Sequence, residues 1–209
     1  MDGVLVSTDE CHYHAWKCIA DAENIYFDRG INHRLRGVGR MDSLDIILEQ
    51  SNKKYTYTQK LELAAKKNSM YRNLICGLTP ESILPGANEI LQKLKLLQFK
   101  TAIASSSKNA KLIIDKTKLW QSVDLVVDGN DIIKSKPDPE IFLLAAQRLN
   151  LKPVKCIVVE DAPSGIAAAM NAGMKGVAIG PAELFQVVDY RFSDLTHFLT
   201  EILLGTILI

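Results

Sequence analysis

Hydrophobic residues follow a helical period in the first part of the chain. Between about residue 9 and residue 85 they recur three or four positions apart, the spacing of one face of an α-helix. The first run contains His12, Ala15, Trp16, Ile19 and Ala20, and two later runs are "SLDIIL" and "LELAAKKNSMYRNLI". No strand pattern interrupts them. We therefore predict a helical block, whose first helix begins at a capping box formed by "STDE", Ser7 to Glu10.

From Pro85 onward, short apolar runs alternate with helical patterns. We predict helices over 87–97, 108–118, 138–149 and 164–172, and strands over "KTAIAS", "VDLVVD", "CIVVED" and "GVAIG". This alternation is typical of a parallel sheet with helices on both faces. The predicted fold class is α/β. A Rossmann-like parallel sheet core is formed by residues 1–8 and 86–209, and a helical cap domain is inserted over 9–85.

Composition narrows the possible functions. The 209-residue chain has 25 basic and 24 acidic residues, so its charge predicts no binding of nucleic acid or anionic membrane. Its four cysteines, Cys11, Cys18, Cys76 and Cys156, are scattered without a CxxC pair and indicate reduced thiols. No apolar run is long enough to span a bilayer, and no secretory signal is visible. We expect a cytoplasmic protein, monomeric, with small-molecule ligands.

Two adjacent carboxylates follow a predicted buried strand in "IVVEDAPSG". Ligands of parallel α/β sheets bind beyond the carboxyl ends of the strands, which is where Glu160 and Asp161 are expected. Their repulsion is tolerable if a divalent cation neutralises them, and oxygen ligands suit Mg²⁺. The alternative is that Asp161 caps the helix that starts near Pro163. The pair alone does not decide between these interpretations.

Three further strand ends carry polar groups. "AIASSSKNA" ends in hydroxyls and Lys108 before a helix, an arrangement suited to anions. "KSKPDPEIF" puts Lys136 before a helix start, where it can contact a phosphate. "MDGVLVSTDE" puts Asp2 and Gly3 in a tight turn. Each has an ordinary explanation, as a cap, a solvated lysine and a start-of-chain turn.

Together, in order and spacing, these segments resemble the haloacid dehalogenase superfamily of phosphotransferases. The family has a strand ending in DxDG, a strand ending in Ser or Thr, a Lys before a helix, and a strand ending in paired acids. Here the last three are Ser105, Lys136 and Glu160 with Asp161. The helical block has the size and place of the family's cap domain.

Longer segments resemble the sugar-phosphate mutases of this superfamily over nearly the whole chain. Among them are "RLRGVGRMDSL", "AAKKNSMY", "ASSSKNA", "SKPDPEIF" and "VEDAPSGIAA". The resemblance implies interconversion of β-glucose 1-phosphate and glucose 6-phosphate. It also implies Mg²⁺, a phospho-aspartate enzyme and the intermediate β-glucose 1,6-bisphosphate.

The resemblance also implies roles for single residues. Asp2 would be the general acid/base, and its backbone carbonyl would hold Mg²⁺ with Glu160 and Asp161. The transferring phosphate would be held by Lys136, Ser105 and the backbone near Ser106. The distal phosphate would be held by Arg40 of the cap and, from the core, by Ser107, Lys108 and Asn109.

Cap residues are implied with less detail. His12 would position Asp2 as the cap closes, and Lys67 and Ser43 are weaker candidates. Thr8 and the segment Leu84–Pro85 would form the hinge. Thr8 and Trp16 are counted with the substrate-binding residues, although an aromatic residue at helical spacing usually belongs to a core.

The start of the chain departs from the family pattern. Of the motif's two aspartates, the first is the nucleophile, and Asp2 matches the second, with Met1 between them. We therefore expect the chain as written to be inactive, because it lacks the nucleophile and the first strand. Met1 could be an internal position of a longer protein, the chain could be truncated, or another nucleophile could act. The first is favoured, since losing a central strand would expose much apolar surface.

Two other functions remain open. One is a sugar-phosphate phosphatase of the same superfamily, which needs no second phosphate site. The other is a non-catalytic protein that binds sugar phosphates.

Overall fold

The computed structural model describes residues 1–181, 185 and 187–204 and divides the chain into two compact units. The helical unit is Thr8–Gly77, and the α/β unit combines Met1–Ser7 with the described residues from Leu78 onward. The predicted α/β class is confirmed. The predicted core domain ran to residue 209, and its residues 182–184, 186 and 205–209 lie outside the described residues.

The helical unit contains the three predicted helices and a short additional one. Its helices are α1 (Asp9–Ala22), α2 (Arg29–Arg34), α3 (Arg40–Leu48) and α4 (Tyr57–Ile75). Helix α4 packs against α1 and α3. Their shared core contains Trp16, Ile19, Ile31, Leu44, Ile47 and Leu63. Helix α2 escaped prediction because six residues are too few for a clear period. Its start is fixed by Asp28, whose carboxylate accepts from the Ile31 N–H at 2.9 Å.

The predicted capping box at the start of α1 was wrong. The N-cap is Thr8, which makes no side-chain capping bond, and its hydroxyl lies 3.0 Å from the hydroxyl of Tyr71. The Thr8 backbone (φ −113°, ψ 14°) lacks the extended conformation that aims a capping side chain at the first turn. A capping box is present at α4 instead, between Thr56 and Gln59, so that helix starts earlier than the predicted run.

The α/β unit alternates helices and strands as predicted. Its helices are α5 (Ala87–Leu96), α6 (Ala110–Thr117), α7 (Glu140–Arg148), α8 (Pro163–Asn171) and α9 (Leu195–Leu204). Its strands are β1 (Ala102–Ala104), β2 (Leu125–Val127), β3 (Ile157–Glu160), β4 (Lys175–Ile179) and β5 (Tyr190–Phe192). β5 and α9 were not predicted. One described core cluster lies among β2, β3, α7 and α8, around Val127, Ile141, Val158, Ala168 and Ala169.

All described strand pairs in named sheets are parallel, as predicted, but the strands form two hydrogen-bonded sheets. β1 pairs with β2, and β3, β4 and β5 form the second sheet in that order. Residues 78–85, which the sequence pattern assigned to the cap, lie with the α/β unit. The reason is local: the Leu84 N–H donates to the Leu5 carbonyl at 2.9 Å, and Ile83 bridges to Val6.

None of the four cysteines, all in the described part of the chain, forms a disulfide. Within the described ranges, no helix combines the length and apolar character needed to cross a membrane.

Candidate active site

Polar residues converge at the carboxyl edge of the α/β unit. Ser105 directly follows β1, and Glu160 is the last residue of β3. The ammonium of Lys136 donates to the Ala104 carbonyl at 3.3 Å and to the Glu160 carboxylate, so it links the ends of the two strands. The Lys136 and Glu160 side chains are each 7% exposed. A buried cation therefore lies at the edge where parallel sheets bind ligands.

The Lys136 segment is fixed by the start of α7. The carboxylate of Glu140 accepts from the Ile133 and Lys134 N–H groups at 3.0 and 2.7 Å, and the Lys136 ammonium lies 4.7 Å from the centre of the Phe142 ring. These contacts hold the Lys136 segment against the first turns of α7.

Glu160 is kept ionised by its surroundings. Burial alone would raise its pKa, but the charges of Lys136 and the Met1 amino group, with hydrogen bonds, lower it overall. Gly165 makes room for this carboxylate, because a Cβ there would lie 2.2 Å from the Glu160 carboxyl carbon. Sequence reasoning missed Gly165, whose only signal is a glycine in the first turn after paired acids.

Asp161 has the opposite electrostatics. Burial first, and then the negative charge of Glu160, raise its pKa to about 6. The N-cap of α8 is Ala162, so Asp161 does not cap that helix. The alternative assignment of Asp161 as an N-cap was wrong.

The start of the chain lies against Asp161. A Cβ on Gly3, whose φ is +67°, would lie 1.9 Å from an Asp161 carboxylate oxygen. The charge of Asp2 also raises the pKa of Asp161. Asp2, Glu160 and Asp161 are therefore neighbours.

The residues present are chemically suited to a hard divalent cation, which prefers oxygen ligands. The adjacent carboxylates of Glu160 and Asp161, the second with a raised pKa, lie beside the Asp2–Gly3 backbone. Among the described residues, no group of three or more His, Cys, Asp and Glu side chains has the arrangement of a metal site. The predicted set used only two side chains with a backbone carbonyl. The metal therefore stays a prediction.

Residues Ser105–Asn109, called here the serine loop, lead from β1 into α6. The Ser107 N–H donates to the Ser105 hydroxyl at 3.3 Å, and the Asn109 N–H donates to the Ser107 hydroxyl at 3.2 Å. The Ser106 hydroxyl is buried and has no hydrogen-bond partner in the described part of the chain. Hydroxyls, loop N–H groups and a following helix are the elements of an anion site.

The helical unit gathers the predicted cap residues around one aromatic ring. Tyr71, 2% exposed, has its ring centre 4.2 Å from that of His12 and 4.6 Å from the Lys67 ammonium. Lys67, 3% exposed, also lies 4.8 Å from the centre of the Trp16 ring, and Thr8 contacts the Tyr71 hydroxyl. Sequence reasoning missed Tyr71. Its position four residues after Lys67, on the same face of α4, was the available signal.

Positive charge accumulates in this group. Burial, then the charges of Lys67 and Arg40, hold the pKa of His12 well below 6.5. Burial also lowers the pKa of the half-buried Arg40 guanidinium, against the influence of Tyr71. Cations that are partly or fully buried favour a nearby anionic ligand, because its opposite charge stabilises theirs. Ser43 is buried and its hydroxyl is 3.5 Å from the Val38 carbonyl, so it supports the loop before Arg40.

The predicted site residues thus fall into two groups, one in each unit. The α/β unit has Asp2, Ser105, Ser106, Ser107, Lys108, Asn109, Lys136, Glu160 and Asp161, and the helical unit has Thr8, His12, Trp16, Arg40 and Lys67. The approach of His12 to Asp2 would join the two units and stays a prediction. A cavity of about 350 Å³ between α1 and α4, lined by His14, Cys18 and Met70 among others, contains none of these residues.

The chain belongs to the haloacid dehalogenase-like hydrolase family, which matches residues 1–173. It is 42% identical to β-phosphoglucomutase of Bacillus subtilis, over 94% of this chain and 89% of that protein. It is also 30% identical to a phosphorylated carbohydrates phosphatase of Thermotoga maritima, over 85% of this chain and 81% of that protein.

A solved structure gives the same result. The crystal structure of β-phosphoglucomutase from Clostridium difficile resembles this chain with a TM-score of 0.91 and 35% identity, covering 98% of this chain and 92% of that one. The predicted resemblance to the superfamily is confirmed.

Proposed function

We propose that the chain, when it is supplied with an acceptor aspartate, interconverts β-D-glucose 1-phosphate and D-glucose 6-phosphate through β-glucose 1,6-bisphosphate. The observation that supports phosphoryl transfer is the convergence of Ser105, Lys136, Glu160 and Asp161 at the carboxyl ends of β1 and β3, which Lys136 links. The 42% identity to the mutase of Bacillus subtilis favours this reaction within the class.

Phosphoryl transfer requires in-line geometry and neutralisation of charge on the phosphoryl oxygens. Lys136 supplies a buried positive charge, and the serine loop supplies hydroxyl and backbone N–H donors. Glu160, Asp161 and the Asp2 backbone carbonyl would hold Mg²⁺, which supplies further neutralisation when bound. The Asp2 carboxylate would take the proton from the attacking sugar hydroxyl and return it to the leaving oxygen.

The phosphoryl acceptor is expected to be an aspartate two residues before Asp2, at the end of a strand that precedes Met1. Without such a segment we expect negligible turnover.

A mutase must also hold the phosphate that does not react. The cation group of the helical unit, with Arg40 and Lys67 near His12, supports this role, and Ser107, Lys108 and Asn109 would contribute from the serine loop. A phosphatase needs no such site. The 30% identity to a phosphatase of Thermotoga maritima keeps hydrolysis of sugar phosphates as the second candidate. A non-catalytic binding protein is the third.

The test compares two proteins, the chain as written and the chain preceded by a strand-forming segment that ends in Asp-Met in place of Met1. Both are assayed with β-glucose 1-phosphate, Mg²⁺ and a trace of β-glucose 1,6-bisphosphate. We expect glucose 6-phosphate only from the extended protein. Release of inorganic phosphate alone would favour the phosphatase, and binding without turnover in both proteins would favour the non-catalytic alternative.

A further inference from the structure

The turn that follows β2, Asp128–Asn130, donates hydrogen bonds to the backbone of the serine loop. The Gly129 N–H donates to the Ser107 carbonyl at 3.3 Å, and the Asn130 side-chain amide donates to the Lys108 carbonyl at 3.1 Å. We propose that Gly129 and Asn130 are positioning residues that set the serine loop for phosphate. This proposal rests on the proposed phosphoryl transfer, and it adds residues that no motif of the sequence pointed to.

Gly129 acts through its lack of a side chain. A Cβ at this position would lie 2.2 Å from the Ser106 carbonyl oxygen and 3.0 Å from the Lys108 nitrogen. Both are backbone atoms of the serine loop, so no side-chain rotation can relieve the clash. The Gly129 backbone is not in the left-handed region, so the requirement is for space alone. Normal contact distances imply that an alanine would displace the loop by roughly 1 Å.

Asn130 acts through its amide donor. The amide nitrogen donates to the carbonyl of Lys108, which directly precedes the N-cap of α6. Lys108 also directly follows Ser107, whose carbonyl accepts from Gly129. Two successive carbonyls of the loop are therefore fixed by successive residues of the turn. Because each peptide unit is planar, a hydrogen bond that fixes a carbonyl of the loop also fixes the N–H group of the same peptide unit.

The turn is itself rigid enough to serve as a support. Asp128, fully buried, accepts the Asn130 N–H at 2.9 Å through its carboxylate, and its own N–H donates to the Asp131 carboxylate at 2.9 Å. Asp131 is in turn paired with Arg148 of α7 at 3.0 Å. The hydrogen bonding between β1 and β2 continues into the serine loop, because the Ser105 N–H donates to the Val127 carbonyl at 3.0 Å.

The supported loop has an unused donor. The Ser106 hydroxyl is buried and has no hydrogen-bond partner among the described residues, and it belongs to the residue whose backbone carbonyl a Cβ on Gly129 would meet. A buried hydroxyl without a partner is unfavourable unless an acceptor arrives. The oxygens of a phosphate are such acceptors. Displacing the loop by about 1 Å would misalign this donor and the loop N–H groups, and errors of that size cost on the order of a hundredfold in catalysis.

The experiment titrates inorganic phosphate into the chain and its variants, and follows the backbone amide resonances of Ser105–Asn109 by NMR. Gly129→Ala tests whether the loop needs the space left by the missing side chain. Asn130→Asp tests whether the loop needs the amide donor, since the new carboxylate has the same shape but repels the Lys108 carbonyl. We expect each variant to raise the phosphate dissociation constant about tenfold or more, with loop resonances shifted before phosphate is added.

Gly173→Ala is the matched control for lost stability. Gly173 has φ +70°, and no atom lies within 4 Å of the position that a Cβ would take, so an alanine there is strained without displacing anything. We expect a lower melting temperature with a phosphate dissociation constant within twofold of wild type. A double variant, Asn130→Asp with Ser105→Ala, should weaken binding by less than the product of the single effects, because both act through one loop.

The outcomes separate the two proposals. If wild-type protein shows no phosphate-dependent shift in the serine loop, the proposed function is wrong and the positioning role goes with it. If wild type responds but both Gly129→Ala and Asn130→Asp bind phosphate within twofold of it, the positioning role alone is overturned. Equal weakening by Gly173→Ala would also overturn it, since general destabilisation would then account for the effect.

Discussion

The side-chain nitrogen of Lys67 lies 2.8 Å from Nδ1 of His12, across the contact between α4 and α1. An ammonium group has donors and no acceptor, so Nδ1 accepts and the imidazole carries its proton on Nε2. Burial and the charges of Lys67 and Arg40 both oppose a second proton, which is why the pKa of His12 is low. The surroundings of His12 in the helical unit therefore favour its neutral form.

The first prediction is a pH dependence of stability that arises from His12. Above pH 6.5 the residue is neutral in both folded and unfolded chains and contributes no slope. Below pH 6.5 the unfolded chain binds a proton that the folded chain does not, so the free energy of unfolding falls as pH falls. The slope contributed is at most about 1.4 kcal/mol per pH unit.

Denaturant unfolding at pH 7.5 and 5.5 measures this slope. His12→Gln should have a smaller loss of stability between the two pH values than wild type, whatever its stability at pH 7.5. His14→Gln, on the exposed face of the same helix, is the matched control and should keep the wild-type slope. Identical slopes for wild type and His12→Gln would show that His12 is not buried as a neutral group.

A second prediction concerns the hydroxyl pair of Thr8 and Tyr71, 3.0 Å apart and both nearly inaccessible. Thr8→Val and Tyr71→Phe should each lower the free energy of unfolding by about 1–3 kcal/mol, because each leaves a buried hydroxyl with one partner fewer. The double variant should cost less than the sum, by about 0.5–1.5 kcal/mol.

Tyr57→Phe provides the control for the loss of a tyrosine hydroxyl, since Tyr57 is 70% exposed and should change stability little. Additive effects of Thr8→Val and Tyr71→Phe would mean that the two hydroxyls are not coupled.

The third prediction separates stability from metal binding at Asp161. Its raised pKa, about 6 against an ordinary 3.8, means that the folded chain opposes ionisation. At pH 7 the ionised carboxylate therefore destabilises the metal-free protein, by at most about 3 kcal/mol. Asp161→Asn should raise the melting temperature in EDTA at pH 7, and this gain should shrink as pH falls towards 4, where wild-type Asp161 is itself protonated.

The same variant should lose the stabilisation that Mg²⁺ gives to wild type, because one carboxylate of the proposed site has gone. Asp45→Asn is a suitable control, since Asp45 is an exposed acid in the helical unit paired with Lys60. If Mg²⁺ stabilises Asp161→Asn as much as it stabilises wild type, Asp161 is not a ligand of the metal.

The sequence predicted those features whose signal is carried by residue type and period. β1 to β4 were found because short apolar runs alternate with helical patterns. Ser105, Glu160 and Asp161 were found at the ends of two of these runs, and Lys136 was found before the start of a helix. β5 was not found, because Tyr190–Phe192 is a three-residue strand with an exposed arginine at its centre. The division of the strands into two sheets could not be predicted either, because the hydrophobic pattern along the chain does not show which strands are hydrogen-bonded to each other.

Residues that act by occupying little space were also beyond sequence reasoning. Gly3, Gly129 and Gly165 matter because Asp161, the serine loop and Glu160 approach them in three dimensions. Tyr71 was hidden for a different reason, because a buried aromatic residue at helical spacing resembles ordinary core. Its contacts with Thr8, His12 and Lys67 are visible only once α1 and α4 are packed together.

The last prediction tests whether Arg40 holds the distal phosphate of the proposed bisphosphate intermediate. In the extended protein that carries the acceptor aspartate, Arg40→Ala should reduce mutase turnover about ten- to a hundredfold. A charge-assisted contact of roughly 1.5–3 kcal/mol would be lost. Hydrolysis of a small phosphomonoester should be almost unaffected, because such a substrate would use only Ser105, Lys136 and the metal ligands. The measurement is the pair of rates, with and without added β-glucose 1,6-bisphosphate.

Arg34→Ala is the matched control for this variant, since Arg34 is an exposed arginine of the helical unit paired with Glu49. An exposed ion pair contributes little, so both rates should stay near wild type. Equal losses of mutase and phosphomonoester activity in Arg40→Ala would mean that Arg40 does not distinguish a bisphosphate from a monophosphate. The helical unit would then lack the feature that separates a mutase from a phosphatase, and hydrolysis would become the better supported reaction.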